Sequence, residues 1–306
     1  MELRQFTYVD MVASCGSFTK AAAKLFISQP ALSNYIGKVE EELGVKLFDR
    51  SSTPLTLTYA GEQYLKRARV ILGQIHEMDK EIRDITQNMK GKIRLGFPSE
   101  RIIYMLPLLL APFKEKYPGI DVEVITGPGN CLTEGLRAGE TDFVFLPTWV
   151  PQKDIIQEEI CQEELVLVAA KGYLPPECML DQEKKVINWK KVAKFPVITL
   201  KKGHALRSSV EVLFRNADAK PDIFFESHSN MLSYRLAAQG LGVAVIPEIT
   251  LELMQGSMEA EVYHLSQSPI TWEVSALYRE GAYIGQVERD LLEIAKNAMR
   301  QHKKKL

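Results

Sequence analysis

The sequence predicts a chain in two structural classes: a small all-α N-terminal part carrying a short hairpin, and a larger α/β C-terminal part, with one long helix between them. Three observations predict it. Apolar residues recur at helical spacing through residues 3 to 43, a seam of alternating fours and threes runs from Tyr64 to Met89, and beyond residue 93 apolar runs alternate with helical segments. With 306 residues the chain is longer than one core usually supports, so separate cores are expected. Hydrophobic residues make up 46% and charged residues 25%, which excludes a disordered or collagenous chain.

The first helix should cover residues 3 to 13, with Leu3, Phe6, Val9, Met11 and Val12 on one side, and end at Cys15-Gly16. Ser17 then caps FTKAAAKL, whose alanines Ala21 to Ala23 allow another helix to cross closely. Phe26-Ile27 forms the turn. Ser28 caps a third helix running to about Leu43, and Pro30 is tolerated there because early amides lack helical partners. Leu32, Ile36, Val39 and Leu43 face inward, which leaves Gln29, Pro30, Ser33, Asn34 and Lys38 outward. Leu47-Phe48 and Leu55 to Thr58, separated by Asp49 to Pro54, read as a small hairpin, the wing of a winged helix-turn-helix.

A helix from Ala60 to about Met89 follows. Its residues Tyr64, Ala68, Ile71, Ile75, Met78, Ile82, Ile85 and Met89 form a sustained a/d seam, with Lys66, Arg67, Glu77, Lys80 and Arg83 on the other faces. A second copy of the chain is the natural partner for that seam; packing on the chain's own C-terminal part is the alternative. Lys90-Gly91-Lys92 reads as a hinge. Strands are expected at 93 to 97, 120 to 126, 142 to 146, 164 to 170, 196 to 200, 222 to 227, 242 to 246, 261 to 265 and 271 to 279, and their alternation with helices argues for parallel sheets. Arg300 to Lys305 reads as a solvated basic tail.

The net charge of −1 gives no hint of a nucleic-acid partner, so that reading rests on pattern. A helix presented in this way enters the major groove N-terminus first. Gln29 and Asn34 can pair bidentately with adenine, Pro30 offers an apolar surface to a thymine methyl, and Ser33 can reach base or phosphate. Lys38 and Arg50 suit phosphate, which positions without specifying.

The stretch AAAKLFISQPALSNYIGKVEEELGVKLFDR, followed by LTLTYAG, strongly resembles the DNA-binding domain of LysR-type transcriptional regulators, with its alanine pair, SQPA-S, LE--LG-LF-R and LT-AG. Val39 replaces the usual Leu. Thr53 stands where many members have Arg, which removes one phosphate contact from the wing. GKIRLGF, LP-LL--F---YP, L---L--GE-DF and RLAAQGLGVAVIP resemble the family's effector domain as far as about Arg300. The resemblance implies a winged helix-turn-helix at 1–59, a dimerising linker helix at 60–89, and an effector-binding domain at 90–306 with the two-lobed fold of periplasmic binding proteins. Lobe I would span about 93–162 and 267–300, and lobe II about 163–266.

Ligands of open α/β sheets bind beyond the carboxyl ends of strands, where helix N-termini offer free amides. The sequence supplies such ends at Pro98-Ser99-Glu100, Gly129-Asn130, Lys202-Gly203-His204 and His228-Ser229-Asn230. Family members hold their effector at positions matching Ser99, Asn130, Thr148 and the loop Lys202, Gly203, His204. Lys201, Lys202, His204 and Arg101 near these ends favour an anionic metabolite over a neutral one.

The N-terminus MELRQFTYVDMV carries charges where a secretory signal needs an apolar core, and no run reaches about 20 apolar residues, so a cytoplasmic protein without a membrane partner is expected. Cys15, Cys131, Cys161 and Cys178 are scattered and read as reduced thiols, and no cofactor or metal is expected. Expected partners are a double-stranded DNA operator, a small-molecule effector, a second copy in a homodimer or homotetramer, and RNA polymerase. A cytosolic solute-binding protein on the same two-lobed fold leaves residues 1 to 60 unexplained. An enzyme lacks support, because no Gly-rich phosphate loop, His-Glu zinc motif or G-x-S-x-G elbow is present.

Overall fold

The computed structural model describes residues 2 to 303 apart from Thr53, Gln87, Asn88, Trp149, Val150 and Ser257. The reading of Thr53 as a missing phosphate contact lies outside the described residues. The head comprises α1 (Leu3–Cys15), α2 (Phe18–Lys24), α3 (Gln29–Leu43), β1 (Phe48–Asp49) and β2 (Thr56–Leu57). Gly16 ends α1 at φ 56°, a left-handed position that favours glycine. Ser17 accepts the Lys20 amide at 3.4 Å and Ser28 the Ala31 amide at 3.3 Å, so both predicted caps are present. Val9, Val12, Ala21, Leu32, Ile36 and Leu47 are fully buried together.

Glu40 has the appearance of a surface charge in the sequence, yet its side chain is buried. It accepts the Leu47 amide at 2.9 Å, the Phe48 amide at 3.3 Å and Lys46 Nζ at 3.0 Å. Burial alone would raise its pKa, but these donors outweigh it and hold the carboxyl below its ordinary value. One carboxylate thereby ties the end of α3 to the wing.

The long helix α4 spans Tyr59–Ile85. Thr58 caps it, accepting the Gly61 amide at 3.0 Å and donating to the Lys46 carbonyl at 2.6 Å. It stops short of Met89, correcting the predicted end. The Thr86 amide and hydroxyl both donate to the Ile82 carbonyl, at 3.0 and 2.7 Å, closing the last turn.

The body follows as β3 (Gly91–Phe97), α5 (Arg101–Lys116), β4 (Ile120–Thr126), α6 (Gly129–Ala138), β5 (Phe143–Thr148) and β6 (Ile155–Ala170). After a 3-10 turn come β7 (Met179–Asp181), β8 (Val186–Ile187), α7 (Trp189–Val192), β9 (Pro196–Leu200), α8 (Ala205–Asn216), β10 (Asp222–Ser227), α9 (Asn230–Ala238) and β11 (Val243–Pro247). The chain closes with α10 (Ile249–Leu253), β12 (Ala260–His264), β13 (Thr271–Arg279) and α11 (Gln286–Lys303).

β3 runs parallel to β4 and β5, and β9 runs parallel to β10 and β11. The all-parallel expectation is corrected by β6, β12 and β13, which pair antiparallel. β6 is far longer than predicted because it serves both halves of the body. Its residues Ile155 to Glu164 pair with β13, and Leu165 to Ala170 pair with β11 and β12. One core gathers Phe97, Met105, Leu109, Phe113 and Phe143; another gathers Leu167, Val197, Phe214 and Tyr263. α11 buries Met299 in the first and continues through Lys303, so the basic end is helical that far, with Arg300 exposed, and the rest of the expected tail lies outside the described residues.

Candidate nucleic-acid interface and effector cleft

Leu32, Ile36 and Val39 anchor one face of α3 in the head core, and the opposite face carries Gln29, Pro30, Asn34 and Lys38, all exposed, with Ser33 half-buried. Arg50 stands beside this face on the wing. Its guanidinium lies 4.9 Å from the centroid of the Phe18 ring, donates to Ser33 Oγ at 3.1 Å and approaches Glu40 at 3.6 Å. It is thus braced by three side chains of α2 and α3 while keeping 44% of its side chain open to solvent. Phe26, in the turn before α3, holds φ 56° and is 96% exposed.

The linker helix has two faces of different character. Tyr64 packs into the head core and Ala68 is already buried within the single chain. Beyond them Ile71, Met78, Ile82 and Ile85 are exposed, Ile85 at 70%. The alternative in which the seam packs on its own body does not describe this arrangement. It is the charged face that packs there: Lys80 and Arg83, expected on faces other than the seam, are buried. Lys80 lies 3.5 Å from Asp142, Arg83 lies 2.7 Å from Glu288, and Glu77 accepts the Tyr283 amide at 2.9 Å and bonds Arg279. Helical periodicity detects apolar faces only, so a docking face built from ion pairs gave no signal.

In the first half of the body β4 and β5 flank β3, so strand order reverses beside β3. Ser99 follows the end of β3 and is exposed; Thr148 closes β5, its hydroxyl 2.8 Å from Ser275 Oγ. Asn130 lies exposed in the first turn of α6, next to the end of β4. In the second half β10 and β11 flank β9 in the same way, and the loop Lys202, Gly203, His204 follows its end. Lys202 and Gly203 are exposed, as is His228 after β10.

One carboxylate reaches from the first half to the second. Glu100 accepts the Asn230 amide at 3.0 Å and the Met231 amide at 3.3 Å, filling the first free amides of α9 from across the cleft. Sequence reasoning named Pro98-Ser99-Glu100 as a strand end but not this role. Burial, and then His228, push the His204 imidazole below its ordinary pKa while Glu100 opposes them, so these three groups share one electrostatic neighbourhood.

Arg101 does not belong to that neighbourhood as an open cation. It is buried and donates to Glu163 at 2.7 and 3.2 Å, and Glu163 also accepts from Tyr104 at 2.6 Å and Trp272 at 2.8 Å. Of the basic residues expected to favour an anion, Lys201 and Lys202 are exposed, whereas Arg101 is engaged. The partners Arg101 and Glu163 meet only after folding, which is why the sequence left Arg101 looking free.

Among the described residues no helix is long and apolar enough to cross a membrane, and no group of three His, Cys, Asp or Glu side chains is placed to hold a metal ion. The family model described as the LysR substrate binding domain matches residues 86–300, and that of the bacterial regulatory helix-turn-helix protein, lysR family, matches residues 3–62. The HTH-type transcriptional regulator YybE of Bacillus subtilis, itself uncharacterized, is 31% identical over 249 residues, 81% of this chain and 83% of that protein. The HTH-type transcriptional activator CmpR of Synechocystis is 26% identical, covering 95% of this chain and 93% of its own length. Full-length OxyR from Pseudomonas aeruginosa shares the fold with a TM-score of 0.73 at 22% identity, over 98% of this chain and 95% of that one. CbnR, solved as a LysR family transcriptional regulator and again with its target DNA, gives 0.68 at 22% identity over 97% and 99%.

Proposed function

The chain belongs to the LysR family of helix-turn-helix transcriptional regulators, and from that premise we propose that it reads its operator with the first turns of α3, dimerises through α4 and senses a small molecule in the body's cleft. One observation carries the DNA reading: Gln29, Pro30, Asn34 and Lys38 are exposed together on a helix whose other face is the head core. Gln29 and Asn34 pair with adenine edges, Pro30 meets a thymine methyl, and Lys38 and Arg50 hold phosphates. Arg50, already stacked on Phe18, reaches a phosphate with little further loss of side-chain freedom.

The exposed stripe Ile71, Met78, Ile82 and Ile85, with Ile75 half-buried among them, supports dimerisation through a second copy of α4. The effector site comprises Ser99, Asn130, Thr148, Lys202, Gly203, His204 and His228. Its preference for an anion rests on Lys201 and Lys202, now that Arg101 is engaged with Glu163. The protein works in the cytoplasm, where its effect on transcription passes through RNA polymerase.

The test compares Gln29→Ala with Arg50→Ala on a panel of duplexes carrying single-base changes in the operator. Gln29→Ala should relax preference at one position by about 1–3 kcal/mol, and Arg50→Ala should weaken binding to every duplex alike. Equal losses on all duplexes for Gln29→Ala would remove its base-reading role.

A further inference from the structure

Arg69 sits on α4 and is bonded to both the head and the body. Its Nε donates to Asp10 of α1 at 2.8 Å, and its Nη1 lies 2.5 Å from Glu140, just beyond the end of α6. One turn along α4, Gly73 meets the same end of α6 backbone to backbone. A Cβ on Gly73 would lie 3.1 Å from the Gly139 Cα, and one on Gly139, at φ 78°, would lie 2.9 Å from the Gly73 Cα. The next turns bring His76 to 3.0 Å and Lys80 to 3.5 Å from Asp142, whose other oxygen accepts the Arg94 amide at 2.7 Å. Burial works against the Asp142 charge, but His76, Lys80 and Arg94 outweigh it and hold the carboxyl well below the usual range. Arg69 and Gly73 therefore fasten α4 to the C-terminal end of α6, while His76 and Lys80 fasten it to the start of β5 beside β3.

The N-terminal end of α6, about 15 Å away at 1.5 Å per residue, carries Asn130 beside the end of β4. We propose that α6 is a rod coupling the cleft to the DNA-binding head, and that Arg69 is the positioning residue passing its displacement to α1. The proposal rests on reading Asn130 as a cleft residue. An arginine that holds carboxylates on two bodies satisfies both in only one arrangement of them. A shift of α6 by about 1 Å takes one pair out of hydrogen-bonding range. The Gly73–Gly139 contact has no side chain to absorb such a shift, so the helix moves against α4 as a rigid piece. Partly exposed ion pairs stabilise the fold little, so breaking one spares folding while removing the coupling.

Coupling between two sites is reciprocal, so DNA bound at the head must be felt at α6 even without effector. The experiment measures hydrogen exchange of the full chain, effector-free, with and without a duplex that the full chain itself has selected from a random pool. In the wild type the duplex should change exchange in residues 131–138 by at least about twofold. Arg69→Gln and Glu140→Gln should abolish that change while altering duplex affinity by no more than about fivefold, the range for a partly exposed pair. Arg69→Lys, which keeps the charge but cannot fork to both carboxylates, should lose the response as well, and serves if Arg69→Gln folds poorly. An unresponsive α6 in the wild type, or a response that survives in Glu140→Gln and Arg69→Lys, overturns the proposal. No effector enters this test, so its failure leaves the assignment of the cleft standing.

Discussion

Gly61, the last residue of the LTLTYAG run, gives the sharpest prediction about the head. An alanine there would place its Cβ 2.0 Å from the Leu47 carbonyl oxygen and 2.8 Å from the Leu47 carbonyl carbon. Both are backbone atoms and cannot rotate away, so the start of α4 and the approach to β1 must separate by more than an ångström. That separation also strains the bond from the Thr58 amide to the same Leu47 carbonyl, now 2.9 Å. Overpacking of this kind costs about 1–3 kcal/mol and the weakened hydrogen bond about 1 more, against about 1 returned by alanine's better helix propensity. Gly61→Ala should therefore destabilise the head by about 1–3 kcal/mol. Gly37, inside α3, supplies the control: a Cβ there meets nothing within 4 Å, so Gly37→Ala should stabilise by up to about 1 kcal/mol. Hydrogen exchange of α1 and α3 amides along a urea titration reads the head apart from the body. If Gly61→Ala proves as stable as Gly37→Ala, the close approach of α4 to the wing is not as described.

Asp at both Ile75 and Ile82 puts unpaired charge into the proposed α4 seam, and sedimentation should show monomers at micromolar concentration; a persistent dimer places the interface elsewhere. Ser99→Ala and His204→Ala should weaken effector binding by calorimetry while sparing effector-free DNA affinity, and normal binding with a normal DNA response in both would move the pocket.

The head was nearly all legible because local chemistry dictates it. Ser17, Ser28 and Gly16 act within a few residues of themselves, and the inward and outward faces of α3 follow from period alone. Most of the body's strands were legible for the same reason. What escaped depends on partners distant in sequence. Glu40, Lys80, Arg83 and Arg101 look like solvent-facing charges, and each is buried against an opposite charge or an amide donor that folding delivers. The length of β6 escaped too, since its first half carries Gln157, Glu158, Glu159, Gln162 and Glu163 and shows no continuous apolar run, although β13 pairs along it. At the cleft, the loops at strand ends were readable from strand-then-helix punctuation, but Glu100 reaching α9 across the cleft was not.

The central claim is sequence-specific binding of DNA by the head. Fluorescence anisotropy of the full chain on its selected duplex and on a scrambled one, across about 50 to 200 mM salt, tests it most directly. The logarithm of the affinity should fall linearly with the logarithm of salt concentration on both duplexes, with the selected duplex tighter by at least about a thousandfold throughout. Equal affinity for the two duplexes, or affinity indifferent to salt, would contradict it.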